Sequence, residues 1–320
     1  MRCCFIFILL LCSQAAMCQS LAELERQLDS LLKKQEKSEL IVGVGYGNSP
    51  AYGKKTQTYE TPVVMKPFLS PNVSYYHKSG LFANVSSYYL FQAIGKPWFE
   101  WDFSLGYDYT RNRKFLTGIS YTRYIFTDSS DIPVTPINNE LFAYFYYRDW
   151  WLQPGVSLDL GWGSADESIA GGRLSRTLSG KDFNVVAAVR HPFVFIDVLK
   201  HDDAILLTPS VGLTMGTANY YSNLKSFQYI SRSPKLHSEW NKHPWRDADG
   251  PPVNDPAKQA FMNAQTKTGF EMRAVDLTVN ASYVIGKLTI SPSYTVFKPF
   301  QGDDKSLIGY FTARLGLTFK

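Results

Sequence analysis

The C-terminal stretch SLIGYFTARLGLTFK, residues 306–320, carries a period of two. Leu307, Gly309, Phe311, Ala313, Leu315, Leu317 and Phe319 share one phase. Ser306, Tyr310, Thr312, Arg314, Gly316, Thr318 and Lys320 share the other, with Ile308 the one apolar intruder. Successive side chains of an extended strand leave opposite faces, so this segment has one apolar and one polar face.

The same split recurs upstream. Phe99, Trp101, Phe103, Leu105, Tyr107 and Tyr109 alternate with Glu100, Asp102, Ser104, Gly106, Asp108 and Thr110. Leu152, Val156, Leu158, Leu160 and Trp162 alternate with Gln153, Gly155, Ser157, Asp159 and Gly161. Ile205, Leu207, Val211, Leu213 and Met215 form a further apolar phase, as do Leu288, Ile290, Tyr294 and Val296. Weaker segments read in the same way predict about twelve strands, a number that outer-membrane barrels adopt. They lie near 40–47, 63–76, 80–92, 98–110, 114–126, 139–148, 152–163, 183–197, 204–218, 269–284, 287–297 and 305–319. Short connections alternate with long ones at 127–138, 164–182 and 219–268, the pattern of an up-and-down barrel with tight turns at one end.

Composition agrees with that reading. The chain has 320 residues, 15% aromatic and only 19% charged, against about 25% charged in ordinary soluble domains. Mean hydropathy is nevertheless slightly polar, which disfavours a bundle of membrane helices. A soluble barrel or sandwich also alternates, but soluble strands average about five or six residues, whereas a tilted membrane strand needs about 9 to 11. Twelve strands also enclose a lumen too wide for side chains to fill, since about eight leave just enough room. The expected fold is therefore all-β: a transmembrane up-and-down antiparallel β-barrel over 40–320, preceded by a short N-terminal helix. A secreted soluble β protein is the poorer alternative.

Tyr75, Tyr76, Trp98, Tyr107, Tyr109, Tyr146, Tyr147, Trp150 and Trp151 fall near expected strand ends, where amphipathic rings favour the headgroup zone. Pro71, Pro154, Pro209 and Pro292 run against the pattern, because proline removes a ladder donor. They are expected near strand ends or bulges at the membrane rim.

The N-terminus, MRCCFIFILLLCSQAAMCQS, has a basic residue, a short apolar run and small residues, the layout of a secretory signal peptide over 1–18. All four cysteines lie in it, so the exported chain has no disulfide and no thiol chemistry. Leu21, Leu24, Leu28 and Leu31 then predict an amphipathic helix over 19–39.

In its signal peptide, its leucine-bearing helix, SPNVSYYHKSGLFANVSSYY and the closing LIGYFTARLGLTFK, the chain resembles the small porin-like outer-membrane β-barrels of Bacteroidota-type Gram-negative bacteria. The resemblance covers the whole mature chain and concerns architecture, with no catalytic motif. It implies contact with outer-membrane lipid and lipopolysaccharide, periplasmic termini, and insertion by the barrel-assembly machinery, which reads a terminal aromatic; here Phe319 is penultimate.

No residue pattern points to catalysis, a cofactor, a metal or nucleic acid. His191 lies in a strand with Val189 and Phe193 on its phase, and no serine converges on it, so a lipase or deacylase on the barrel wall is disfavoured. His237 and His243 match no metal-ligand spacing. The polar phase carries Lys66, Glu100, Asp102, Asp108, Asp159, Arg190, Asp276 and Arg314, with Asn72, Asn84, Asn184 and Asn280, as candidates to line a lumen. Trp240 and Trp245 stand in the loop 219–268, expected to narrow or cap the outer mouth. The leading functional expectation is a channel for small polar solutes; the competitor is a structural or surface-binding barrel with an occluded lumen.

Overall fold

A computed structural model describes residues 38–52, 63–93, 95–109, 112, 114–127, 137–169, 174–201, 203–217, 270–300 and 307–320. The expected signal peptide, the N-terminal helix and the loop 219–268 with Trp240 and Trp245 lie outside the described residues.

The strands are β1 (Glu39–Tyr52), β2 (Val63–Tyr76), β3 (Leu81–Leu90), β4 (Trp98–Tyr109), β5 (Phe115–Phe126), β6 (Asn139–Tyr147) and β7 (Gln153–Ile169), followed by β8 (Leu174–Arg190), β9 (Phe193–Ile196), β10 (Asp203–Gly216), β11 (Glu271–Ile285), β12 (Leu288–Pro299) and β13 (Ile308–Phe319). Each pairs antiparallel with its neighbours, and β13 returns to β1 from Leu40↔Phe319 to Gly47↔Thr312. The sheet is therefore closed into a wall without the long open edge that hydrocarbon would penalise, although the short β9 pairs only with β10.

Thirteen strands make twelve staves, because β8 and β9 occupy one stave. Both pair with β10, and Ser210↔Arg190 and Leu207↔Phe193 share one register across the break at His191 and Pro192. Glu39 and Lys320 form an ion pair of 2.9 Å, which sets the two described chain ends at the rim that carries the short connections near His77, Asp149, Lys200 and Gly286.

The prolines sit differently from expectation. Pro154 is the second residue of β7, but Pro71, Pro209 and Pro292 lie well inside β2, β10 and β12. On one side each keeps its register, with Val44, Val279 and Ala313 opposite. On the other side the ladder is interrupted: β2–β3 pairing skips Pro71, β11–β12 pairing skips Pro292, and Pro209 faces the break between β8 and β9. An antiparallel residue aims its N–H and C=O at the same neighbour, so proline weakens one seam and leaves the other intact. Side chains stitch the opening beside Pro292, where Ser282 and Ser291 hydroxyls lie 2.9 Å apart.

Two β-bulges also shift the expected phases. Between β3 and β4, Tyr88 pairs with Glu100 and Tyr89 with Trp98, leaving Phe99 as the extra residue. Phe99, expected on the lipid phase, is instead 1% exposed with its ring 5.8 Å from that of Tyr88. Between β10 and β11, Thr214 pairs with Ala274 and Met215 with Met272, so Arg273 is the extra residue and is buried. An inserted residue breaks the strict alternation on which phase assignment rests.

The expected connection 164–182 is largely strand. β7 and β8 run 17 residues each and pair through Ile169↔Leu174. About 9 to 11 residues suffice to cross hydrocarbon; beyond that length both faces meet water, and the apolar half of the alternation disappears from the sequence.

Candidate functional site

The barrel wall is apolar outside and polar inside. Leu105 (64% exposed), Ile125 (50%) and Leu315 (44%) belong to the outward phase, whereas Glu100 (0%), Asp102 (6%) and Asp159 (7%) belong to the inward phase. Water would penalise such an outer face, and hydrocarbon would not. The closed wall and its reversed polarity define a transmembrane β-barrel.

The inward residues fall into two groups. Near the rim with the chain ends, the Tyr144 hydroxyl donates to Asp108 Oδ1 at 2.7 Å. The Arg190 guanidinium lies over the Tyr146 ring at 4.0 Å, and its Nε donates to Gln153 at 3.3 Å. Arg314 alternates with outward Ala313 and Leu315 and yet is exposed, as is Asn280 between Val279 and Ala281. Tyr76 and Tyr146, expected in the interfacial girdle, turn inward: Tyr76 packs on Phe82 at 5.7 Å, and Tyr146 carries Arg190. Glycines make room for two of the acids. A Cβ at Gly118 would overlap Asp108 Oδ1, and one at Gly212 would overlap Asp276 Oδ1.

Towards the opposite rim the inner wall is acidic. Buried Glu100 and Asp102 on β4, Glu140 on β6, Asp159 on β7 and Asp182 on β8 lie on one side of the wall, with β5 between the first two and the rest. The register links them: Asp102 faces Tyr124, Thr122 faces Glu140, Glu140 faces Gly161, and Gly161 faces Asp182. Asp182 accepts from the Thr217 hydroxyl at 2.8 Å. Both carboxylate oxygens of Glu100, and one each of Asp102 and Asp159, have no hydrogen-bond partner among the described residues. Phe68, Tyr88 and Phe99 pack beside this wall, with ring centroids 5.9 and 5.8 Å apart.

Two basic groups stand on other staves. Lys66 on β2 is buried, and its Nζ donates to the Gln92 carbonyl at 3.2 Å. Arg273 on β11 donates to the carbonyls of Gly216 and Thr217, each at 2.7 Å. Asp276 on the same strand accepts from Thr278 at 3.4 Å.

Three members of this interior were not singled out from sequence. Glu140 alternates with Leu141 in NELFAYFYY, so its phase was available. Asp182 fell inside the expected connection, and Arg273 is turned inward by its bulge. His191 packs against Trp151 and, edge-on, Phe193, with ring centroids 4.5 and 4.4 Å away, and hydrogen-bonds through Nδ1–H to the Trp151 carbonyl; none of these partners is a nucleophile. His237 and His243 lie outside the described residues.

No protein-family model matches the chain, and no curated protein matches it in sequence. Among solved structures it is similar to the NanC porin, at 9% identity over 88% of this chain and 99% of that one, with a TM-score of 0.41. It is similar to the KdgM porin, at 9% identity over 87% and 100%, with a TM-score of 0.41. It is also similar to the translocator domain of the autotransporter NalP from Neisseria meningitidis, at 11% identity over 93% and 95%, with a TM-score of 0.43.

Proposed function

We propose that the chain is a porin-like channel of a bacterial outer membrane, through which small polar solutes diffuse down their gradients. The observation that carries this is the charged inner wall of a closed barrel. Exposed Arg314 and Asn280 on the inward phase support a lumen that holds water, and buried Glu100, Asp102 and Asp159 stand on the same phase further along. Lys66, Asp108, Arg190 and Asp276 complete the inward-facing set. With both described ends at the rim of short connections, that rim faces the periplasm, as in other barrels of this kind.

The same reading includes export by the signal peptide over 1–18, insertion by the barrel-assembly machinery, a Bacteroidota-type origin for the chain, and a short periplasmic helix over 19–39. Lipid and lipopolysaccharide would surround the wall.

A second reading, a barrel with an occluded lumen that serves structure or surface binding, is favoured by one observation: Phe68, Tyr88, Leu90, Phe99 and Ile137 are all buried. Side chains thus pack densely across part of the interior. Liposome swelling with sugars of graded size separates the two. The channel reading expects swelling that falls with sugar size, and no swelling at any size would leave only the second. A folded barrel should also migrate faster on a gel before boiling than after.

A further inference from the structure

A groove of about 690 Å³ crosses the outer wall from β2 to β6. Its course follows one row of facing residues: Tyr75 opposite Ala83, Ala83 opposite Leu105, Leu105 opposite Tyr121, and Tyr121 opposite Leu141. Ala83 is the small residue of the row, so the wall dips between the rings and branched side chains on either side. The groove reaches His77 and Leu81 at the rim of short connections. It therefore runs from the headgroup zone towards the middle of the hydrocarbon.

The rim below it is basic. Lys78 in the β2–β3 turn and Lys114 before β5 are exposed, and Arg148 after β6 donates its backbone N–H to the Lys114 carbonyl at 2.7 Å. Two acids are near. Asp108 is turned into the lumen and held by Tyr144, and Asp149 accepts from the Tyr147 hydroxyl at 3.2 Å. Cations therefore prevail on the outer side of this rim.

We propose that the groove seats one acyl chain of an anionic phospholipid of the periplasmic leaflet, whose phosphate lies against Lys78 and Lys114. The inference rests on the outer-membrane barrel reading. An acyl chain gains little by leaving other acyl chains, because hydrocarbon meets hydrocarbon either way. Shape thus fixes where the chain lies, and the basic rim supplies the preference among headgroups. A zwitterionic lipid fills the same dip without that preference.

The test uses the full chain, purified in detergent, stripped of lipid, and mixed with phosphatidylglycerol or phosphatidylcholine before native mass spectrometry. Phosphatidylglycerol should be retained about thirtyfold better than phosphatidylcholine, the ratio that two surface cations give. The double variant Lys78→Gln with Lys114→Gln should bring the two lipids level. Ala83→Phe should reduce retention of both. Equal retention of the two lipids by the unaltered chain overturns the proposal, as does unchanged retention by A83F. Displacement of phosphatidylglycerol by lipid A overturns the assignment to the periplasmic leaflet. A gel shift on boiling, run on the same samples, keeps the questions apart: without it the barrel reading fails, whereas with it only the groove is at stake.

Discussion

Pro209 and His191 face each other across the seam between β10 and the stave shared by β8 and β9, joined by one hydrogen bond from His191 N–H to the Pro209 carbonyl at 3.2 Å. A hydrogen-bonded antiparallel pair normally exchanges two such bonds. Pro209 has no N–H to return, so the ladder is broken into two strands although its register never slips. Pro192 beside it leaves the seam untouched, since neighbouring residues on a strand aim at opposite partners.

Pro209→Val should fuse β8 and β9 into one strand. The added bond should raise stability by about 1 kcal/mol, read as a higher urea midpoint for unfolding from lipid vesicles. The new amide at position 209 should exchange slowly with solvent by NMR. An amide that exchanges as fast as a loop amide would show that the seam is open for another reason.

The acidic wall should bias the channel towards cations. Replacing Glu100 and Asp102 by glutamine and asparagine removes the negative charge of the pair, and each unit of it changes the local cation concentration about twofold at about 8 Å in water. Under a potassium chloride gradient the reversal potential should move towards zero, and more so at low salt. A potential that stays where it was would mean that these carboxylates do not face the conducting path.

Gly118 and Asp108 test the opposite rim. An added methyl in Gly118→Ala overlaps Asp108 Oδ1 and should force the carboxylate off the Tyr144 hydroxyl. Loss of that charge-assisted bond should lower stability by about 1.5–3 kcal/mol. Tyr144→Phe should produce a similar loss, and the two together should fall short of the sum, because both break one contact. Strict additivity in urea unfolding would refute the link.

Asp203 organises the turn between β9 and β10. It is 1% exposed and accepts the backbone N–H groups of Val198, Leu199 and Lys200 at 2.8, 3.0 and 2.9 Å, with the Tyr283 hydroxyl at 3.0 Å. Asp203→Ala leaves three amides without their acceptor and should lower stability by about 2 kcal/mol. Trypsin should then cut after Lys200 in the folded barrel, where the parent resists. Equal resistance of the two would place the order of the turn elsewhere.

Most of the wall is legible in the sequence. Arg314 against Leu315, and Asp159 against Leu158 and Leu160, separate by phase alone, because lipid and water impose opposite requirements on alternate residues. Phe99 and Arg273 were not legible, since each sits at a bulge whose presence depends on the partner strand. Asp182 was hidden for another reason: β7 and β8 outrun the hydrocarbon, and the apolar signal ends where the lipid does. The prolines misled because sequence shows a missing donor but not which of two seams it faces.

Alternation in sequence by itself determined that this chain is built of long strands with one apolar and one polar face, and about how many of them there are. Phase is a property of one strand and needs no knowledge of its neighbours. Only the tertiary structure decided that Leu40 meets Phe319 to close the wall, that β8 and β9 share a stave, and that five carboxylates from four strands stand along one side of the lumen. Those depend on register and bulges, set by hydrogen bonds between strands far apart in sequence, and no local pattern records them.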